Sequence, residues 1–131
     1  MPAGTFAVST SQTMHFVDIT AQVQKAVDAS GIVDGICHVY NPHTTAGLTI
    51  NEGADPAVQT DILTALQKIV PTNHPYQHLE GNSPAHVMAS LVGSSVTVFI
   101  ENSRLQLGTW QKIFFCEFDG PRSRKVFWRI A

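Results

Sequence analysis

The sequence predicts an α+β fold, with mainly antiparallel, sandwich-like sheets and two to three helices. Three observations carry this. Two helix starts are written plainly, at Asp55-Pro56 and at Ser83-Pro84. The other apolar segments are short, of strand length, and separated by turn residues. The late segments 112–118 and 125–130 are apolar on both faces, so both faces need a cover.

Taken in order, residues 5–9 and 15–17 read as strands, with the polar stretch 10–13 between them. Residues 20–30 read as a helix. Ile19, Val23, Ala26 and Val27 recur at helical spacing, and Gly31 stands just past the end as a C-cap. Residues 36–40 and 48–50 read as two strands joined, as in a hairpin, by the loop 42–47. Asp55 supplies an N-cap carboxylate and Pro56 takes the first helical position. That helix runs to about residue 70, with Val58, Ile62, Leu66 and Ile69 as its buried stripe, and Pro71 ends it. Residues 71–82 form a long polar loop, and loops of that length are usually functional or mobile. A further helix spans about 84–91. Strands follow at 96–101, 112–118 and 125–130, with 119–124 as the last turn.

In 112–118, Ile113 and Phe115 point one way, and Phe114, Cys116 and Phe118 the other. In 125–130, Val126, Trp128 and Ile130 oppose Phe127. One helical layer covers one side of such a sheet. The second cover is another sheet or another subunit.

A chain of 131 residues is large enough for one core and one domain, 1–131. Only 14% of residues are charged, which leans towards an oligomer. The net charge of −2 and the lack of Lys/Arg runs argue against nucleic-acid or membrane partners. No window approaches the roughly 18 apolar residues of a spanning helix. Met1–Gly4 carries no leader pattern, so the expected location is cytoplasmic. Cys37 and Cys116 lie in apolar runs without a Cys-x-x-Cys partner and read as buried free thiols.

Three constellations bear chemistry. Residues 105–111, Leu-Gln-Leu-Gly-Thr-Trp-Gln, exceed what a turn requires. The amides of Gln106 and Gln111 beside Trp110 suit a site that holds a ligand or another subunit; the plainer reading is a Gly-centred bend with Trp110 in the core. Arg104, just before, suits a bidentate contact with a phosphate or carboxylate, or an ion pair with Glu101. Arg122 has the same two readings.

His43, His78 and His86 are the second constellation. Three neutral imidazoles make a catalytic-type metal site, although no short two-histidine motif is present. His86 opens a helix, where the dipole favours an anion, so a phosphate is the competing occupant. Ser83 or Ser90 could join it, and Ser90 shares a helix face with His86. Thr44, Thr45 and Gly47 could present hydroxyls and backbone N–H groups to the same anion.

Asn51-Glu52 is the third. If its strand continues, Glu52 faces apolar residues and becomes a general acid or base with a raised pKa. Otherwise it is a turn residue before the Asp55 cap. No Gly-rich phosphate loop, dinucleotide fingerprint or nucleophile elbow is present, which lowers the case for ATP, NAD or serine-hydrolase chemistry.

The segments Pro42-His43-Thr44-Thr45-Ala46-Gly47, Asn51-Glu52-Gly53-Ala54-Asp55-Pro56, His78, Gly81-Asn82, Ala85-His86, Ala89-Ser90-Leu91, Arg104 to Gln111, and Cys116 to Arg122 occur in a telling order and spacing. From about residue 6 to 130 they resemble the YjbQ-like family, also called the secondary thiamine-phosphate synthase family. The resemblance implies a YjbQ-like fold and a homotrimer with its pocket at or near a subunit boundary. It implies a transferase of thiamine-phosphate synthesis, joining a pyrimidine methyl pyrophosphate to a thiazole phosphate with release of pyrophosphate. That could be a secondary activity of another enzyme handling small phosphorylated metabolites. It also implies that His43, His78 and His86 share a pocket and bind a divalent metal, Mg or Zn. His43, His86 and Glu52 are then catalytic. Thr44, Thr45, Asn51, Ser90, Arg104, Gln106, Trp110 and Gln111 bind substrate. The alternative is a non-catalytic trimeric module for a metal or small anionic metabolite. His15, His38 and His74 do not match and read as structural or exposed.

Overall fold

Two antiparallel sheets face each other across the main core, and helices cover the back of the smaller one. The computed structural model describes residues 1–131. In chain order the elements are β1 (Ala3–Ser9), β2 (His15–Asp18), α1 (Thr20–Ser30), β3 (Gly35–Tyr40), β4 (Ala46–Glu52), α2 (Pro56–Ile69), α3 (Ser83–Val92), β5 (Ser95–Glu101), β6 (Arg104–Leu105), β7 (Gln111–Glu117) and β8 (Ser123–Ile130). The larger sheet has the order β1-β8-β3-β5-β6, and the smaller β2-β7-β4.

The local chemistry explains the elements. Asp55 accepts from Ala57 N–H at 2.9 Å and caps α2, with Pro56 beginning the helix. Gly31 takes the left-handed conformation, φ 71°, that ends α1. The buried stripe of α2 differs from expectation at one place: Leu66 and Val70 are buried, whereas Ile69 is exposed. Residue 70 already has an extended backbone, which turns Val70 inward where continued helix would have turned Ile69.

The expected hairpin of 36–40 and 48–50 does not form. β3 pairs with β5 and β8, whereas β4 pairs with β7 in the other sheet. Asn41 makes the crossing. Its Nδ2 donates to Ala46 O at 2.7 Å and its Oδ1 accepts from His43 N–H at 2.9 Å, and the residue is buried. Strand periodicity says which face is apolar, not which strand is the partner, so the sequence could not tell a hairpin from a crossover.

The two faces of β7 enter separate cores. Ile113 and Phe115 meet Val39, Val98, Val126 and Ile130 of the opposite sheet, together with Val23 and Val27 of α1. Phe114, Cys116 and Phe118 meet Leu66 and Val70, at the end of α2, and Ala85 and Met88 of α3. The chain thus covers both faces of β7 by itself. β8 is different: Val126 and Ile130 are buried, while Phe127 is 38% exposed on the outer face of the larger sheet. No helix is long and apolar enough to cross a membrane.

Candidate functional site

The β3–β4 crossover, the loop 71–82, the first turn of α3 and the β7–β8 connection meet at one end of the molecule. They bring His43, His78, His86, Arg122 and Arg124 into one cleft of about 480 Å³. Apart from Pro42, every side chain that lines it is polar or charged. A second depression of about 520 Å³ adjoins it, sharing His43, Thr44 and His86 and adding Ser90.

The floor is a buried ion pair. Glu117 is fully buried and Arg124 is 5% exposed. Arg124 Nε donates to Glu117 Oε1 at 2.8 Å, and its Nη2 donates to Glu117 Oε2 and, at 2.9 Å, to Thr45 Oγ1. Glu117 also accepts from Thr10 Oγ1 at 2.7 Å and from the Phe118 and Asp119 N–H groups, each at 3.1 Å. Burial alone pushes the Glu117 carboxyl up. The bonds from Arg124, Thr10 and Asp119 N–H and the Arg124 charge overcome it, so the group sits below the ordinary carboxylate range. Arg124 Nη1 makes no bond within the chain, and Arg124 is among the residues that line the cleft. A guanidinium locked on one edge thus presents its other edge to a ligand.

Arg122 is held less firmly. Its Nη2 donates to Asp119 Oδ2 at 2.9 Å and its Nε to Asp119 O at 2.8 Å, on the surface of the turn. The same Asp119 Oδ2 accepts from Asn82 Nδ2 at 3.0 Å, tying the turn to the start of α3.

His43 is oriented by main chain. Lys125 N–H donates to its Nε2 at 2.9 Å. Only the neutral ring accepts that bond, so the ring proton lies on Nδ1. Burial and the Arg124 charge push its pKa below 6.5, outweighing the Glu117 carboxylate. The single lone pair of neutral His43 is therefore spent, and none is left for a metal. No group of three or more His, Cys, Asp or Glu stands in ligating geometry. His78 and His86 do approach each other, edge to face, with ring centres 5.4 Å apart. His78 Nε2 lies 3.9 Å from Glu80 Oε2.

Of the residues expected from the sequence, His43, His78, His86, Thr44 and Thr45 line the cleft, and Ser90 lines its annex, donating to His86 O at 3.0 Å. The rest lie elsewhere. β4 does continue to Glu52, its last residue, and the carboxylate is spent on the turn that follows: Oε2 accepts from Ala54 and Asp55 N–H at 2.9 and 2.8 Å. Asn51 Oδ1 accepts from Glu52 N–H. Gln111 Oε1 accepts from Gly108 N–H at 2.8 Å, and Gln106 Nε2 donates to the Glu101 and Arg104 carbonyls. Arg104 lines a separate cleft with Asp18, Gln24 and Lys112. Trp110, expected to be mostly buried, is 62% exposed, because it sits in the turn that Gln111 N–H closes onto Gly108 O at 3.0 Å, ahead of β7. Sequence reasoning missed Arg124, Glu117 and Thr10. The signal was there: in period-two strands Glu117 shares a face with Ile113 and Phe115, and Arg124 shares one with Val126.

The description UPF0047 protein YjbQ-like matches residues 4–131. The chain belongs to the YjbQ-like UPF0047 family. Within it, UPF0047 protein MJ1081 of Methanocaldococcus jannaschii is 49% identical over 125 residues, covering 95% of this chain and 91% of that protein. UPF0047 protein YugU of Bacillus subtilis is 47% identical, covering 94% of each. An uncharacterised YjbQ/UPF0047-family crystal structure from Clostridium acetobutylicum superposes with a TM-score of 0.95 at 57% identity, over 97% of this chain and 98% of that one. Hypothetical protein APE1520 of Aeropyrum pernix gives 0.94 at 35% identity, over 100% and 98%. The α+β architecture is thus that of the family's solved structures.

Proposed function

We propose that this cleft binds the phosphate of a small phosphorylated metabolite and that the chain is an enzyme acting at that group. The observation that carries the reading is the locked Arg124, its free edge facing the same cleft as three histidines. Arg124 and Arg122 neutralise the anion, and His43 Nδ1–H donates to it. His78 and His86, whose rings are not spent on the backbone, exchange protons with substrate. Acid–base help of that kind is worth about 10²–10⁴ in rate.

Thiamine-phosphate synthesis is the specific form that the sequence resemblance suggests. There the thiazole nitrogen forms a C–N bond as the C–O bond to pyrophosphate breaks, and pyrophosphate leaves with the electron pair. The cations suit that leaving group. The only flat surfaces in the cleft are its imidazoles and guanidiniums, so this form is the narrower proposal.

The test pairs calorimetric titration of phosphate and pyrophosphate with a pyrophosphate-release assay on the two thiamine precursors. A charge-assisted contact is worth about 1.5–3 kcal/mol. Arg122→Gln should therefore weaken binding roughly tenfold to a hundredfold. His78→Gln and His86→Gln should lower turnover more than affinity. Failure of wild type to bind either anion would sink the reading. Binding without turnover of any phosphorylated substrate would leave a non-catalytic module. Metal content by elemental analysis checks whether His78 and His86 hold a divalent ion.

A further inference from the structure

We propose that a separate pocket beside the histidine cleft takes the uncharged part of the ligand, a single ring carrying an N–H or O–H donor next to its phosphate. This rests on the reading of the cleft as a phosphate site.

The pocket holds about 230 Å³ and lies where the end of α2, the first turns of α3 and the β7–β8 connection come together. Met14, Val70, Met88 and Phe118 form its apolar walls, so it is a place where the second core reaches the surface. Small-molecule sites are mostly apolar, with a few placed polar groups. The cleft has the polar groups and almost no apolar wall; this pocket has the wall. Whole ligand sites run from roughly 300 to 1,000 Å³. The pocket falls below that range and suits one ring of a larger ligand. Its two methionines reshape readily around a ring edge.

Asn82 and Asp119 line both cavities and so mark their common boundary. Asn82 Nδ2 donates to Asp119 Oδ2 at 3.0 Å, and Arg122 Nη2 donates to the same oxygen. Two acceptors are left over. Asp119 Oδ1 makes no hydrogen bond within the chain. Asn82 Oδ1 is buried and has no donor. Buried polar atoms are nearly always paired, so an orphan acceptor points to a donor from outside the chain. A carboxylate and a bare carbonyl oxygen repel a second anion. They fit an N–H or O–H of the ligand.

Charge then orients the ligand. Asp119 is the one ionisable side chain that lines the pocket, whereas the cleft has Arg122, Arg124 and three histidines. The phosphate goes to the cleft, the ring to the pocket and the donor to the boundary between them.

The chain's three methionines make the test direct. Met14 and Met88 line the pocket, and Met1 lies on the outer face of the larger sheet. Protein with isotope-labelled methionine methyl groups is titrated by NMR with inorganic phosphate, phenyl phosphate, ortho-aminophenyl phosphate and uncharged ortho-aminophenol. The aromatic probes should shift the Met14 and Met88 signals by ring current and leave Met1 in place. Phenyl phosphate should bind roughly tenfold to a hundredfold tighter than inorganic phosphate. The ortho-amino group should add about tenfold more. Gln67→Trp and Thr72→Trp, at exposed positions lining the pocket, should remove the aromatic gain and leave inorganic phosphate binding unchanged.

The proposal is overturned if phenyl phosphate binds while Met14 and Met88 stay in place, or if both tryptophan variants keep the full aromatic gain. Equal affinity for the two phenyl esters overturns the donor assignment at Asn82. Two outcomes separate this pocket from the phosphate reading. Inorganic phosphate binding with no methionine response to any aromatic probe sinks the pocket alone. Shifts of Met14 and Met88 by ortho-aminophenol, without inorganic phosphate binding, sink the phosphate site and leave the pocket.

Discussion

The backbone N–H of Lys125 donates to Nε2 of His43 at 2.9 Å, so a ring on the β3–β4 crossover is aimed by the main chain of β8. The bond fixes which nitrogen carries the proton, and so turns a potential base or ligand into a donor.

A first prediction follows from that bond. Nitrogen NMR should find His43 protonated on Nδ1 and titrating below 6.5. A ring held neutral in the fold lets the unfolded chain take up the proton first as pH falls. The stability it contributes is therefore present above about 6.5 and declines below it. His43→Ala should flatten that part of the pH–stability profile. A His43 midpoint above 6.5 contradicts the assignment.

The Glu117–Arg124 pair predicts a large asymmetry. Arg124→Leu leaves a buried carboxylate without its cation and should cost about 3–5 kcal/mol in denaturant unfolding. Adding Glu117→Leu should recover part of the loss and not all. Thr10 and the Phe118 and Asp119 N–H groups would then lack an acceptor. Because the Glu117 pKa is lowered, the pair's contribution is full above the ordinary carboxylate value of 4.5 and lost as pH falls below it.

These two bonds mark where sequence reading stopped. Helix caps such as Asp55 act on residues two or three away, and β7 announces its two cores by being apolar on both faces, so both were legible. So was the gathering of His43, His78 and His86, though only through the family pattern and not from spacing. The sheet that β4 joins, the outward turn of Trp110 and the pairing of Glu117 with Arg124 depend on strands distant in the chain. Glu117 and Arg124 each look like a polar lapse in an apolar run until both are seen facing one space.

Glu52 gives a third prediction. Glu52→Ala removes the acceptor for two N–H groups ahead of α2 and should cost about 1 kcal/mol, read from the shift in denaturant midpoint. Glu52→Gln retains an acceptor oxygen and should cost less. Equal losses would mean that the charge, and not the turn geometry, holds the segment.

The thiols give a fourth. Burial pushes Cys37 up to about 11 and Cys116 higher still. Neither should react with a thiol reagent at neutral pH in the native protein, and both should react in denaturant. Rapid native labelling of either would show that the corresponding core opens.

Phe114 supplies a fifth. It is 2% exposed between β7 and the helices. Phe114→Ala should cost about 3–5 kcal/mol in thermal or denaturant unfolding. A loss below 1 kcal/mol would mean that the helical layer collapses onto the vacancy.

The double lining of β7 also limits how the cleft can exchange its contents. His86 rides on α3, which Ala85 and Met88 bolt to the strand, so swinging α3 aside would strip Phe114, Cys116 and Phe118 of their cover. His78 sits on a stretch without helix or strand, beside a Leu79 that is 95% exposed. Traffic into and out of the cleft therefore has one inexpensive gatepost, the 71–82 loop, and one immovable one. With α3 held in place, the spacing of the two imidazoles follows the position of the loop that carries His78.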